Sequence, residues 1–333
     1  NFRLKVSDAE ALGLDSVRQF IELLKGYQKQ LAKPYLTDKE VTKKLIDEAY
    51  QRSLIDIRAS HILLKIGPDA LPKDTLEVYD RIMSLRKQAA KGDFAAIAKK
   101  NSEDPSAKDN GGDLGWFSVL RMVYPFESAA YNTEVGEISM PVRTRFGYHI
   151  LNVVNKREAQ GEVRAAHIMI KTGKESSEED VKNAEIKIKE VKDLLDKGQN
   201  FEDIAKKYSE DKGSSTKGGE LPKFGTGRMV PAFEEAAYAL KKDGDISDPI
   251  LTDYGWHIIK RLERFGVPKF EDVEKDLSSK VAKDSRSQMS KMSVLNRVKK
   301  DYTFKETRKS LDAIASLLTD DLLEGKWNAD TAK

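Results

Sequence analysis

The chain contains no cysteine, no long apolar run and no marked excess of charge of either sign. Without cysteine it can form no disulfide, use no thiolate as a nucleophile and bind no zinc through sulfur. The absence also makes the chain indifferent to the redox state of its compartment, so an oxidising compartment is allowed but not required. No run of roughly 18 apolar residues occurs, and we therefore expect no membrane-spanning helix.

The balance of charges argues against nucleic acid as a partner. The chain has 58 basic and 55 acidic residues, giving a net charge of +3, and the two signs are mixed along its length. Such mixing leaves no extended basic field for a phosphate backbone. Of the 333 residues, 39% are hydrophobic and 34% are charged. This composition and length predict two or three domains with their own cores and large solvated faces.

The stretch spanning residues 102–131 recurs later in the chain. In both copies a Ser-Glu-Asp triplet comes first, then a Gly-Gly pair with an acidic residue and a leucine, then a methionine followed by Phe-Glu. The leucine, methionine and phenylalanine of the two copies are each 107 positions apart, from 114 to 221, from 122 to 229 and from 126 to 233. A spacing kept without a gap across three side chains indicates that each copy uses them for the same purpose.

The pattern around each copy predicts a small α+β domain. A strand comes first, amphipathic helices follow, and two strands close the unit within about 100 residues. We place the first domain at residues 58–156 and the second at 162–265, joined by a short polar linker. Residues 1–57 and 266–333 are predicted to be helical, with one helix through Leu311, Ile314, Leu317 and Leu318. We expect these terminal segments to pack together as a third, helical domain.

All four histidines of the chain occupy equivalent places in the two copies. His61 and His167 are 106 positions apart, and His149 and His257 are 108 apart. For any single one, a half-buried strand histidine satisfied by its neighbours is the simpler interpretation, but two matching pairs favour a shared role. Two histidines on two strands of one sheet could lie side by side and share hydrogen bonds.

Neither copy has a complete set of metal ligands or a nucleotide-binding motif. A metal site would need ligands beyond each histidine pair, and Asp104 and Asp211 would supply only one carboxylate to each copy. The Gly-Gly pairs lack phosphate-loop spacing, and no Ser-His-Asp order of the hydrolase type occurs. We therefore expect no metal and no cofactor.

Two interpretations of the repeated apolar residues remain open. They could be ordinary core residues. Because the Gly-Gly pair places the leucine just after a flexible turn, they could instead line an apolar groove. These residues are Leu114, Met122 and Phe126 in the first copy and Leu221, Met229 and Phe233 in the second.

Taken together, the motifs resemble the parvulin-type peptidyl-prolyl cis–trans isomerase domain, which has an FKBP-like fold. The first copy reads Ala-Ser-His61-Ile-Leu, Ser-Glu-Asp104, Gly-Gly-Asp-Leu114-Gly-Trp-Phe, Met122-Val-Tyr-Pro-Phe126-Glu and Thr144-Arg-Phe-Gly-Tyr-His149-Ile. The second copy has the same order of motifs, and the resemblance covers roughly residues 58–264. Tandem domains of this kind flanked by helices are similar to the SurA-like periplasmic chaperones, which escort outer-membrane proteins.

The resemblance implies an apolar proline pocket over a polar floor in each copy. The substrate-binding pocket would consist of the repeated leucine, methionine and phenylalanine. The floor would consist of the implied catalytic residues, His61, Asp104, Thr144 and His149 in the first copy and His167, Asp211, Thr252 and His257 in the second. Where the family has aspartate or cysteine this chain has aspartate, which excludes a covalent route. The implied reaction is non-covalent rotation about Xaa-Pro bonds without a cofactor.

The resemblance also implies partners and a location. The clients would be unfolded or extended polypeptides containing proline, outer-membrane proteins among them, and the location would be periplasmic. The chain begins Asn1-Phe2-Arg3 without an apolar leader, so we interpret it as a mature form or a fragment from which any export signal is gone. No basic cluster follows the first strand of either copy, and phosphorylated substrates are therefore not expected.

A holdase chaperone is the alternative to an isomerase. In that case one or both copies would only bind extended client segments, and the terminal helices would supply the client-binding surface. The copies also differ from each other, since the second has Gly225 and Gly227 where the first has no glycine between Phe117 and Met122. The family includes tandem members with one silent domain, and we favour the second copy as the active one.

Overall fold

The computed structural model describes residues 2–173, 176–305, 307, 309 and 311–312. The chain divides into two compact units. One contains the residues up to Thr42 together with those from Gln288 onward, and the other runs from Lys43 to Ser287. The predicted helix through Ile314, Leu317 and Leu318 lies outside the described residues. The predicted domain boundaries, including a third domain built from both terminal segments, stay a prediction.

Three helices precede the first strand. They are α1 (Phe2–Ala11), α2 (Arg18–Ala32) and α3 (Lys39–Ser53). Asp38 starts α3, because its Oδ1 accepts hydrogen bonds from the N–H groups of Glu40 and Val41 at 3.0 and 3.1 Å and so satisfies donors of the open first turn. Neither α1 nor α2 contains a buried residue. Among the described residues, no helix combines the length and the apolar character that crossing a membrane requires.

The first α+β domain forms one antiparallel sheet with strand order β2-β1-β4-β3. Its elements are β1 (Ile55–Lys65), α4 (Pro72–Ala89), α5 (Phe94–Asn101), α6 (Ala107–Asn110), β2 (Asp113–Phe117), α7 (Tyr124–Asn132), β3 (Val142–Thr144) and β4 (Gly147–Glu158). The central strands β1 and β4 pair along their whole length, with His61 opposite Leu151 and Leu63 opposite His149.

The second α+β domain repeats this order as β6-β5-β8-β7. Its elements are β5 (Glu162–Lys171), α8 (Glu178–Asp196), α9 (Phe201–Tyr208), β6 (Phe224–Gly225), α10 (Pro231–Ala239), β7 (Ile250–Thr252) and β8 (Gly255–Phe265). His167 pairs with Ile259 and Met169 with His257, which is the register of the first domain. Two further helices follow, α11 (Phe270–Lys283) and α12 (Ser287–Asp301). The predicted α+β fold with two tandem domains is confirmed.

Alternation along the central strands divides the core of each domain into two layers. In the first domain, Ile62, Leu64 and Ile150 pack on the face covered by α4 and α5. Ile57 and Leu151 point to the opposite face, which α7 covers. The same alternation places His61 and His149 on the α7 face, since they are two or four residues along the strands from these core positions. Sheet geometry therefore brings both histidines under α7.

Candidate functional site

The histidines of the first domain lie side by side in the middle of its sheet. The Nδ1 atoms of His61 and His149 are 3.3 Å apart, and the two rings are nearly parallel, with 16° between their planes. Both side chains are buried. The diagonal register of β1 and β4, in which each histidine pairs with a residue two positions from the other, produces this arrangement.

One polar partner stands at each end of the histidine pair. His61 Nε2 lies 2.9 Å from Asp104 Oδ2, and His149 Nε2 lies 2.8 Å from Thr144 Oγ1. Thr144 Oγ1 also accepts a hydrogen bond from the N–H of Phe146 at 3.1 Å. The structure thus brings all four implied floor residues of the first domain into one continuous chain of hydrogen bonds.

The donor-to-acceptor direction of these hydrogen bonds follows from the groups at the two ends of the series. The carboxylate of Asp104 can only accept, so His61 carries its proton on Nε2 and presents Nδ1 as an acceptor. His149 must then donate from Nδ1, which leaves its Nε2 to accept from the hydroxyl of Thr144. Every donor points towards Asp104, and with both imidazoles neutral each hydrogen bond has one proton.

The apolar residues lie over this polar chain. Phe126, on α7, is buried, and its ring meets the rings of His61 and His149 edge-on, with centroids 5.6 and 5.3 Å away. Leu114 and Met122 are partly buried and pack against the same cluster. Phe126 is thus a core residue, whereas Leu114 and Met122 keep exposed surface beside it. That the leucine and methionine line a groove stays a prediction.

The second domain reproduces the arrangement almost atom for atom. The Nδ1 atoms of His167 and His257 are 3.2 Å apart, His167 Nε2 lies 2.8 Å from Asp211 Oδ2, and His257 Nε2 lies 2.9 Å from Thr252 Oγ1. Phe233 meets both imidazole rings edge-on at 5.6 and 5.5 Å. Leu221 and Met229 are partly buried against the same cluster.

The two sites differ in the hydrogen bonds that a nearby serine donates to the aspartate. In the first domain the N–H and hydroxyl of Ser106 donate to Asp104 Oδ1 at 2.9 and 2.8 Å. In the second domain the hydroxyl of Ser214 donates to the Oδ2 atom of Asp211 that also faces His167, and Ser214 Oγ is itself 3.0 Å from His167 Nε2. Sequence reasoning missed both serines, although each follows its aspartate by only two or three positions, as in an Asx turn.

Burial sets the protonation of these groups. Desolvation, with the adjacent histidine as a smaller cause, lowers the pKa of His149 and of His257 to about 4. Desolvation also lowers the pKa of His61, against the opposing effect of Asp104. For Asp104 and Asp211, burial favours the neutral acid, but hydrogen bonds from the neighbouring serine and histidine outweigh it and lower the pKa of both carboxyls. In the first domain, near neutral pH, the series of hydrogen bonds therefore runs from a neutral hydroxyl through two neutral rings to a carboxylate.

The chemistry of the donor set offers little to a metal ion. Each neutral histidine ring already uses both nitrogens within the chain of hydrogen bonds, and each site contains only one carboxylate. Within the described part of the chain, no group of three or more histidine, aspartate or glutamate side chains is arranged to hold a metal ion.

A buried glutamate in each domain was also missed at the level of sequence. Glu127 and Glu234 directly follow the pocket phenylalanines, and both are buried. Each carboxylate accepts a backbone hydrogen bond from the loop ahead of the pocket methionine, Glu127 from Leu120 at 2.7 Å and Glu234 from Gly227 at 2.8 Å. The signal was present in the sequence, because the Phe-Glu pair recurs at the same spacing of 107 positions.

Comparison with known proteins agrees with this geometry. The family model described as PPIC-type PPIASE domain, of the Rotamase family, matches residues 61–155 and 167–263. A protein named Chaperone SurA from Thiobacillus denitrificans is 34% identical over 235 residues, which is 69% of this chain and 52% of the relative. Another Chaperone SurA, from Chromohalobacter salexigens, is 30% identical over 271 residues, which is 79% of this chain and 60% of the relative. The chain thus spans little more than half the length of these relatives.

Among solved structures, the peptidylprolyl isomerase PrsA from Bacillus anthracis is 33% identical to this chain. That match covers 44% of this chain and 63% of the other, with a TM-score of 0.29. The assignment depends on the family match, which falls on the two domains that carry the histidine pairs. Because this match accounts for more than half of its residues, the chain belongs to the PpiC-type peptidyl-prolyl cis–trans isomerase (rotamase) family.

Proposed function

We propose that each of the two α+β domains is a prolyl isomerase site and that the whole chain is a folding factor for extended polypeptides. The observation that carries the proposal is the pairing, in both domains, of a hydrogen-bonded Thr-His-His-Asp series, whose histidines are buried, with a partly exposed leucine and methionine. The family match supports the same activity.

The reaction needs no nucleophile and no cofactor. Rotation about an Xaa-Pro bond has a barrier of about 20 kcal/mol, which comes from amide resonance. A site that holds the proline ring in an apolar environment and disfavours the planar, dipolar amide lowers this barrier. A thousandfold acceleration requires only about 4 kcal/mol, which is within reach of desolvation and one or two hydrogen bonds.

The residues divide between binding and catalysis. Leu114 and Met122, with Phe126 behind them, would hold the proline ring in the first domain, and Leu221, Met229 and Phe233 would do so in the second. The Thr-His-His-Asp chains would fix the polarity of the floor under the rotating bond. Because the histidines on β4 and β8 have a pKa of about 4, these two rings stay neutral across the neutral pH range.

We further propose that the clients are unfolded exported proteins, outer-membrane proteins among them, and that the chain works in the periplasm. The resemblance to SurA-like chaperones and the two relatives named Chaperone SurA support this proposal. The requirement for proline in the client belongs to the isomerase activity and is part of the same proposal.

A holdase activity is a second candidate, and a specific observation favours it. Large apolar side chains are exposed along α1 and α2, including Phe2, Leu23, Tyr27 and Leu31, of which Phe2 is 80% and Leu31 73% exposed. Apolar surface of this kind can bind extended client segments without any bond rotation. It would allow the terminal segments to bind a client while the PpiC-type domains act on it.

A prolyl peptide assay on the whole chain separates these candidates. We expect Met122→Ala and Met229→Ala each to remove the part of the activity that belongs to its own domain, and the double variant to lose at least about tenfold in kcat/KM. A Met289→Ala variant is the matched control, since this methionine is exposed on α12, and it should retain full activity. If the unmodified chain suppresses aggregation of an unfolded client but accelerates no prolyl peptide, the isomerase proposal is wrong and the holdase remains.

A further inference from the structure

The loop ahead of the first pocket contains an unusual backbone conformation. Leu120 has φ = 62° and is one of two described non-glycine residues with positive φ. Its counterpart 107 positions later is Gly227, with φ = 75°. The loop geometry therefore needs a left-handed residue in both domains. Glycine adopts this conformation without steric cost, whereas leucine adopts it only when its surroundings hold it there.

In the first domain, the buried Glu127, which directly follows Phe126, holds Leu120 in this conformation through a hydrogen bond. Glu127 Oε2 accepts the N–H of Leu120 at 2.7 Å, two residues ahead of Met122. Glu234 Oε2 accepts the N–H of Gly227 in the same way at 2.8 Å. In each domain one carboxylate thus ties the helix of the pocket phenylalanine to the loop of the pocket methionine.

Glu127 and Glu234 differ in the ion pairs that their carboxylates form. Glu127 is fully buried and binds two arginines, Arg52 from α3 at 2.9 Å and Arg286, between α11 and α12, also at 2.9 Å. Neither arginine belongs to the first PpiC-type domain as the family match delimits it. Within the described residues, no arginine forms a direct ion pair with Glu234. Arg157 and Arg121 act on this carboxylate only electrostatically, without such a contact, and burial raises its pKa.

Both arginines are fixed by further contacts. Arg286 is fully buried, its Nε donates to Asp284 at 2.9 Å, and its guanidinium lies 4.7 Å from the ring centroid of Tyr124. Arg52 pairs with Glu48 at 2.5 Å and donates to Ser128 at 3.1 Å. Such fixed partners make the Arg-Glu-Arg cluster a rigid support and not a mobile surface ion pair.

We propose that Arg52, Glu127 and Arg286 are positioning residues that hold Leu120 in its left-handed conformation and thereby place Met122 at the first pocket. The inference rests on the proposed function and adds an asymmetry to it. The first pocket depends on α3 and on the segment after α11, whereas the second pocket is set by its own glycine. The loop of the first site thus needs a charged cluster to hold its left-handed residue, whereas glycine at the same place removes that need in the second site.

The test uses the full-length chain with ¹³C-labelled methionine methyl groups, which report on Met122 and Met229 without any need for catalysis. We expect Glu127→Gln to shift or broaden the Met122 resonance much more than the Met229 resonance. In a Met229→Ala background, the kcat/KM of the first site should fall about tenfold. Arg286→Met should act in the same direction and serves as the second variant if Glu127→Gln does not fold.

Two further variants separate positioning from plain stabilisation. Adding Leu120→Gly to Glu127→Gln should restore the Met122 resonance and most of the first-site activity, because glycine needs no support at this position. The matched variant Glu234→Gln should leave the Met229 resonance nearly unchanged. The inference is overturned if Leu120→Gly restores nothing in a folded double variant, or if Glu234→Gln disturbs Met229 as strongly as Glu127→Gln disturbs Met122. If the parent chain shows no prolyl isomerase activity, the proposed function fails, while the methyl resonances still decide on the positioning role.

Discussion

His149 and His257 have the most strongly shifted side-chain environments in the two sites. Each donates through Nδ1 to a second histidine and accepts through Nε2 from a threonine hydroxyl. Desolvation and, to a smaller extent, the neighbouring histidine lower the pKa of each ring and favour its neutral form.

We predict that acid destabilises the protein between pH 6.5 and pH 4. The pKa of His149 and His257 is about 4 in the folded chain and about 6.5 in the unfolded chain. The unfolded state thus binds protons first as the pH falls, and each ring costs up to roughly 3 kcal/mol of folding stability by pH 4. Asp104 and Asp211, whose pKa is also lowered, extend the loss to lower pH. Urea unfolding at a series of pH values measures the effect.

The same shifts predict a flat activity profile. Isomerase activity should not change from pH 8 to about pH 5.5 and should fall only as the β4 and β8 histidines become protonated. A nuclear magnetic resonance titration of the imidazole rings is the direct check. A midpoint near 6.5 for His149 or His257 would contradict the neutral chain of hydrogen bonds.

At the scale of elements, the repeated Gly-Gly pair has a steric cause. Gly112 has φ = 81°, and a Cβ placed on it would lie 2.2 Å from the carbonyl oxygen of His61. Gly219 has the same φ and the same 2.2 Å approach to His167. In each domain the N–H of this histidine donates to the glycine carbonyl, at 2.9 and 2.8 Å. The turn therefore packs directly on the strand that carries the histidine.

We predict that Gly112→Ala disrupts the first site while Gly136→Ala does not. The first change adds a methyl group against the backbone of β1 and should cost about 3 kcal/mol or more. Gly136 also has a positive φ, 86°, but no atom lies within 4 Å of its added Cβ, so it should cost only about 1 kcal/mol. Thermal unfolding and the imidazole resonances of His61 measure the two effects. Equal losses in both variants would contradict a steric role for the close approach.

Elements were easier to predict than the contacts between them. The repeat at 107 positions and the alternation along the strands were enough to predict both domains and the pairing of the histidines. The arginines on Glu127 could not be predicted, because they lie 75 and 159 positions away in the chain and follow no local pattern. The left-handed conformation of Leu120 could not be predicted for a different reason, since nothing in its sequence neighbourhood requires it. The only sequence signal is the glycine at the equivalent position of the second domain, Gly227.

At the scale of the whole molecule, the two PpiC-type domains contact each other within the unit of residues 43–287. Asp56 is almost fully buried, and its Oδ2 accepts the hydroxyl of Thr226 from the other domain at 2.8 Å. Arg121 donates to the carbonyl oxygen of Gly227 at 2.5 Å. Arg121 directly precedes Met122, and Gly227 lies two positions before Met229, so the contact joins the loops that carry these two methionines.

We predict that Thr226→Val loosens this coupling. The change leaves Asp56 with a missing donor in a buried place, and burial already raises the pKa of this carboxyl. The expected cost is about 1–3 kcal/mol, together with separate unfolding of the two domains in calorimetry. Thr133→Val is the matched control, because this residue follows the end of α7 and its hydroxyl donates to the carbonyl oxygen of Ala129 in the same domain. A single unchanged transition in Thr226→Val would show that this hydrogen bond does not join the domains.

The Arg52-Glu127-Arg286 cluster also gives the two pockets different responses to heat. The penalty for burying charged groups falls as temperature rises, so buried ion pairs become relatively more stabilising in warm conditions. Within the part of the chain that the structure describes, no arginine forms a direct ion pair with Glu234 in the second domain. Warming should therefore shift the balance of activity between the two sites towards the first, and cooling should shift it towards the second.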